Sequence, residues 1–131
     1  IARLEGGVLR TFRAWPEGEA LGLARIAAPA DAWPRVEIVL NHAGADGRLV
    51  DAVVAPGAVG LVVAGTGHGT LGARLAEAVD RARAAGVRVT RASRCAFGPV
   101  LPHDAHDDEA AGELSAVQAR VELQLELLGA A

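Results

Sequence analysis

The sequence predicts an α/β domain, a small doubly wound parallel sheet with flanking helices, preceded by a β-hairpin. Three observations lead there. An apolar run, Val59-Gly60-Leu61-Val62-Val63-Ala64, passes through a glycine loop, Gly65-Thr66-Gly67-His68-Gly69-Thr70, into an amphipathic segment over 71–85. Val87-Arg88-Val89-Thr90-Arg91-Ala92 follows and is β-branched at alternate positions, closing a βαβ unit in which parallel strands need a helical crossover. A further strand-like run, Val36-Glu37-Ile38-Val39-Leu40, precedes that unit, so βα units come in series. Ligands of such sheets sit at the carboxyl ends of the strands, where the glycine loop lies.

Composition limits what the domain can do. The chain has 131 residues, enough for one core, and that core must be built from Val, Leu and Ala because only two Phe, two Trp and no Tyr are present. So few aromatics leave no base-stacking surface, and a net charge of −3 with scattered Arg provides no nucleic-acid or polybasic membrane footprint. No apolar run reaches the roughly 20 residues of a bilayer span. Nucleic acid and membrane are therefore not expected partners. Cys95 is the single cysteine, which excludes an internal disulfide and leaves the compartment open, cytoplasmic or periplasmic/secreted. Ile1 and the lack of any Met lead to the expectation that the natural N-terminus lies upstream.

Taken in order, residues 1–13 form two extended runs around Gly6-Gly7, a two-residue hairpin signal. An isolated hairpin is marginal in water, so this one is expected to be left over from a missing N-terminal domain. Residues 14–35, with Trp15-Pro16 and Ala28-Pro29-Ala30, hold no period and read as a linker to a domain over 36–131. After the strand at 36–40 comes a loop, Asn41-His42-Ala43-Gly44-Ala45, then a short helix carrying Leu49, Val50, Val53 and Val54 that Pro56-Gly57 stops. On the central helix Leu71, Leu75, Ala78, Val79 and Ala82 form one stripe, with Glu77 and Arg81 spaced as an i,i+4 ion pair. Residues 110–114 read as a short edge strand. Ser115-Ala116-Val117-Gln118 has capping-box spacing and starts a last helix, whose face is read as Val117, Val121, Leu125 and Leu128.

Several groups carry possible chemistry. Gly67-His68-Gly69-Thr70-Leu71-Gly72 satisfies G-x-G-x-x-G between strand and helix, and Arg91 and Arg94 stand where a nucleotide's ribose phosphate would be met. The opposing reading is glycines serving a tight turn, and the fingerprint normally follows the first strand of its domain. His103, Asp104, His106, Asp107, Asp108 and Glu109 are of metal-ligand type, but an acidic loop is more often simply solvated, and no metal is assigned. Cys95 has no base fixed beside it and is read as an ordinary half-buried residue.

Residues 60–71, Gly86-Val87-Arg88-Val89 with Arg91-Ala92-Ser93-Arg94-Cys95 and Gly98-Pro99-Val100, and Ala110-Ala111-Gly112-Glu113-Leu114 with Gln118-Ala119-Arg120 and Leu123-Gln124-Leu125 agree in order and spacing with one family. Together they resemble the C-terminal domain of bacterial L-asparaginases over 36–128, with the hairpin and linker resembling the end of the larger N-terminal domain and its connector. The resemblance implies hydrolysis of the asparagine or glutamine side-chain amide, without cofactor, in a homo-oligomer. It implies a threonine nucleophile and a Thr-Asp-Lys activating group, both in the N-terminal domain. Thr11, Thr66, Thr70 and Thr90 lie in neither motif and Lys is absent, so no catalytic residue is expected in this chain. The domain's share would be to complete a neighbouring subunit's site through Gly67, His68, Gly69 and Thr70, where the family commonly carries Gly-Asn-Gly. His68 departs from that Asn: imidazole still donates or accepts a hydrogen bond but is bulkier. An acid among Asp104, Asp107, Asp108 and Glu109 would hold the substrate ammonium. The rival reading is a stand-alone α/β ligand-binding or interaction module, with nucleotide binding at the glycine loop.

Overall fold

The computed structural model describes residues 2–12, 14, 22–96, 98–102 and 109–129. Gly6 and Gly7, at φ 56° and 79°, turn strand β1 (Ala2–Glu5) into β2 (Val8–Thr11), and Leu4 pairs with Leu9 across the hairpin. Every residue of both strands is exposed. Within the segment expected as a linker, Leu23–Ala27 and Ala30–Ala32 form short 3-10 turns, and Trp33 Nε1 donates to the Ala28 carbonyl at 3.0 Å.

Strands β3 (Val36–Leu40), β4 (Gly60–Gly65), β5 (Arg88–Ser93) and β6 (Ala110–Ser115) pair in that order, all parallel. Helices α1 (Arg48–Val54) and α2 (Ala73–Ala84) pack on one face and α3 (Ala116–Leu128) on the other. The expected small parallel sheet with flanking helices is the fold. Side chains alternate between two cores, as the period of a strand requires. Val39, Leu61, Val63 and Val89 meet Val50, Leu75, Ala78, Val79 and Ala82 on the α1/α2 side. Val36, Val62 and Ala92 meet Ala119 and Leu123 of α3 on the other. Because β4 is buried on both faces, its sequence is a continuous apolar run.

Two expectations about helices need correction. Arg81 does not pair with Glu77 but spans to α1, where its guanidinium donates to both carboxylate oxygens of Asp51 at 3.2 Å. The buried face of α3 is Ala119 and Leu123, flanked by Ala116 and Leu127, whereas Val117 (67% exposed) and Val121 (46%) face outward. The capping box is present in both halves, with Ser115 Oγ accepting from the Gln118 amide and the Gln118 side chain accepting from the Ser115 amide. It sets the phase of the helix, and small Ala119 then lets α3 lie close on the sheet. The polar side of that same surface is satisfied: Arg120 Nε donates to the Val36 carbonyl (3.1 Å) and buried Gln124 to that of Pro34 (2.8 Å).

Candidate functional site

The glycine loop stands at the carboxyl end of β4 as a miniature hairpin. Thr66 N–H donates to the Thr70 carbonyl at 3.0 Å and Thr70 N–H to the Thr66 carbonyl at 2.9 Å, so three residues turn between two bonded ones. Gly67 (φ 53°) and Gly69 (φ 82°) adopt the left-handed conformation that such a turn requires. Gly65 is needed for a different reason: a Cβ there would fall 2.4 Å from the Gly69 carbonyl carbon, because the returning arm lies directly on it. Thr66, Gly67, His68 and Thr70 are exposed and Gly69 is buried beneath them.

Neighbouring strands hold this loop from both sides. Asn41, immediately after β3 and only 7% exposed, donates from Nδ2 to the Thr70 carbonyl (3.2 Å) and accepts at Oδ1 from the Gly72 N–H (3.1 Å). Its backbone N–H donates to the Ala64 carbonyl at 2.9 Å, and its own carbonyl accepts from the Arg94 guanidinium. After β5, the Arg94 backbone N–H donates to the Gly65 carbonyl at 2.8 Å. Cys95 comes next. It is exposed, not half-buried as expected, and the Gly67 backbone amide, followed by the Ser93 side chain, holds its thiol below the usual range. The backbone N–H of Cys95 also donates to Ser93 Oγ at 3.0 Å.

Two cavities flank this arrangement. One of about 480 Å³ opens between the ends of β3 and β4 and is bordered by Asn41, His42, Thr66, Thr70, Arg74 and Arg94. The other, about 440 Å³, is bordered by Ser93, Arg94, Cys95, Glu113, Ser115 and Gln118 together with residues of the hairpin. Thr70 thus borders the first, while His68 borders neither.

Three backbone donors around the loop are already engaged, which counts against the dinucleotide reading. Thr66 and Thr70 spend their amides on each other and Gly72 spends its amide on Asn41, whereas a phosphate cradle needs such donors for its ligand. Arg91 is buried within β5, and Arg94 is turned onto the Asn41 carbonyl. Of the acidic loop, residues 103–108 lie outside the described residues, so Asp104, Asp107 and Asp108 have no structural account. Glu109 is described, and its carboxylate forms a two-pronged pair with Arg83 of α2, in which the side chains are 12% and 19% exposed. Arg83 also donates to Asp80 at 2.5 Å, and its pKa is held above the usual guanidinium value chiefly by the Glu109 hydrogen bond.

Sequence reasoning placed Gly67, His68, Gly69 and Thr70 together on one exposed loop but missed Asn41, which read as one more loop residue. A signal was available: an amide side chain, donor and acceptor at once, directly after a buried strand and at the sheet end that carries the loop.

The sequence model of the Glutaminase/Asparaginase C-terminal domain family matches residues 35–129, from the start of β3 through the end of α3. The chain belongs to this family. It is 34% identical over 100 residues to L-asparaginase 2 of Bacillus subtilis, covering 74% of this chain, and 36% identical over 99 residues to L-asparaginase 2 of Escherichia coli, covering 72%. Among solved structures, a probable cytoplasmic L-asparaginase from Campylobacter jejuni superposes with a TM-score of 0.69 at 27% identity over 75% of this chain and 33% of the other. The chain spans 27% and 28% of the two curated relatives' lengths. As a member of the asparaginase C-terminal family, the domain carries its loop at 66–70 inside the matched segment and its hairpin outside it.

Proposed function

We propose that the chain is the C-terminal part of an L-asparaginase-type amidohydrolase, which converts L-asparagine and water to L-aspartate and ammonia, and that its loop at 67–70 completes a neighbouring subunit's active site in a homo-oligomer. The observation that carries this reading is the family match over the entire α/β unit, loop included. Acyl transfer needs a nucleophile activated by an adjacent base or lowered pKa. Among this chain's hydroxyls, Thr66 and Thr70 are the exposed ones on the loop, and no Lys exists to activate them. On this reading, which follows the family resemblance, the nucleophile is assigned to the N-terminal domain. What this domain can offer is position: the Thr70 hydroxyl and the His68 imidazole, on a turn held by backbone bonds, presented to a substrate bound mainly by the partner. Glu109, one of the four acids the resemblance offers for the substrate ammonium, is committed to Arg83.

Ammonia release tests the reading. Full-length gene product should release ammonia from asparagine, and the purified 131-residue chain should release none above background. A full-length protein inactive on both asparagine and glutamine overturns the assignment. Within an active parent, His68→Asn restores the residue common in the family and should raise kcat/KM for asparagine more than twofold, about 0.4 kcal/mol of transition-state stabilisation. An unchanged value removes His68 from the site.

A further inference from the structure

We propose that Asn41 is the positioning residue of the 66–70 loop, a clasp that fixes how the loop is presented; the inference rests on the proposed role of residues 67–70. The two backbone bonds between Thr66 and Thr70 determine the shape of the turn. They do not determine its tilt relative to the sheet, since both belong to the turn itself. Tilt is set by what ties the turn to a neighbour, and the Asn41 side chain does so at the returning arm. Its amide spans the exit from the loop, with Nδ2 on the Thr70 carbonyl and Oδ1 on the Gly72 N–H, the residue that caps α2. One side chain thereby aligns the last residue of the turn with the first turn of the helix.

The clasp is itself anchored. Asn41 continues the β3–β4 ladder through its N–H to Ala64, and the Arg94 guanidinium holds its carbonyl from the end of β5. Three adjacent strand ends thus converge on one residue. Burial at 7% exposure keeps water from competing for its bonds. Donor and acceptor are both needed. Aspartate in place of Asn41 keeps the acceptor for Gly72 but sets a carboxylate oxygen against the Thr70 carbonyl, and leucine of similar size deletes both bonds.

Amide hydrogen exchange on the full 131-residue chain tests the clasp without reference to activity. In Asn41→Leu the Gly72 amide, which loses its acceptor, should exchange at least tenfold faster than in wild type, while Leu61, Val62 and Val63 stay protected; an unchanged Gly72 rate overturns the proposal. If Asn41→Leu loosens the whole sheet, Asn41→Asp decides: acceleration confined to residues 66–72 supports the clasp, and either no acceleration or a general one overturns it. Kinetics of the full-length enzyme then test positioning. Asn41→Asp should raise KM for asparagine at least tenfold with kcat within threefold. The same substitution made in a His68→Ala/Thr70→Ala background should cost less than a further twofold, because the side chains it positions are already gone. Losses that simply multiply across that cycle show a merely structural residue and overturn the proposal. A wild-type parent without amidase activity would refute the proposed function, and the exchange result would still decide the clasp.

Discussion

At Gly65 a single hydrogen in place of a methyl group decides whether the loop can fold back on its strand. The nearest backbone atoms of Gly69 would lie at 2.4, 2.6 and 2.7 Å from a Cβ, all main chain, so no flexible side chain can yield. Gly65→Ala should therefore displace residues 66–70 and cost about 1–3 kcal/mol, the range for overpacking a tight contact. Urea unfolding of the two proteins measures it, and an unchanged midpoint would show that the returning arm does not rest on Gly65. Cys95 makes a second prediction at this scale. Its thiol is lowered first by the Gly67 amide, then by Ser93, so the thiolate forms at lower pH than in an ordinary cysteine. The pH dependence of iodoacetamide alkylation should accordingly be shifted acidward of that of a free cysteine peptide. Ser93→Ala should move it part of the way back, because the Gly67 amide remains; coincident profiles for chain and peptide would contradict the contact.

Between elements, the Arg83–Glu109 pair ties the second half of α2 to the start of β6. Both side chains are largely withdrawn from water, and removal of one partner strands the other's charge there. Glu109→Ala should cost about 2–4 kcal/mol in chemical denaturation, less than for a fully buried pair since Asp80 still neutralises Arg83. Glu109→Leu combined with Arg83→Met should recover most of that loss, as an apolar contact replaces the stranded charge. If the double variant is no more stable than Glu109→Ala, charge stranding is not the cause. By contrast, the Arg81–Asp51 bridge between α1 and α2, with both side chains about 60% exposed, belongs to a class worth at most about 1 kcal/mol.

Across the whole molecule, apolar surface is distributed unevenly. The sheet is covered on both faces, yet the hairpin exposes Leu4 (69%) and Leu9 (66%) side by side, and α3 exposes Val117 and Val121. A two-stranded hairpin with open edges is a template for pairing with another chain. The isolated chain should therefore associate as its concentration rises, and Leu4→Lys with Leu9→Glu should weaken that association. Sedimentation velocity over a hundredfold concentration range is the measurement. A monomer throughout would mean that the hairpin needs no partner surface.

Local chemistry and periodicity by themselves determined the parallel βαβ series, the Gly6-Gly7 hairpin, the capping box at Ser115 and the exposed turn at 66–70. Each is written in neighbouring residues: alternation, a 3.6-residue stripe, paired glycines, a Ser three residues before a Gln. Tertiary structure alone decided the rest. The helix face read as Val117, Val121, Leu125 and Leu128 is periodic, yet only the space over the sheet selected Ala119 and Leu123 instead. Arg81 had acids available at two distances, and the packing of α1 on α2 brought Asp51 to it instead of Glu77. Asn41 became the partner of Thr70 and Gly72, 29 and 31 residues away, because parallel pairing brings the ends of β3 and β4 side by side. Hydrogen bonds of that span leave no periodic trace, since their partners are set by strand order and register and not by chain neighbours.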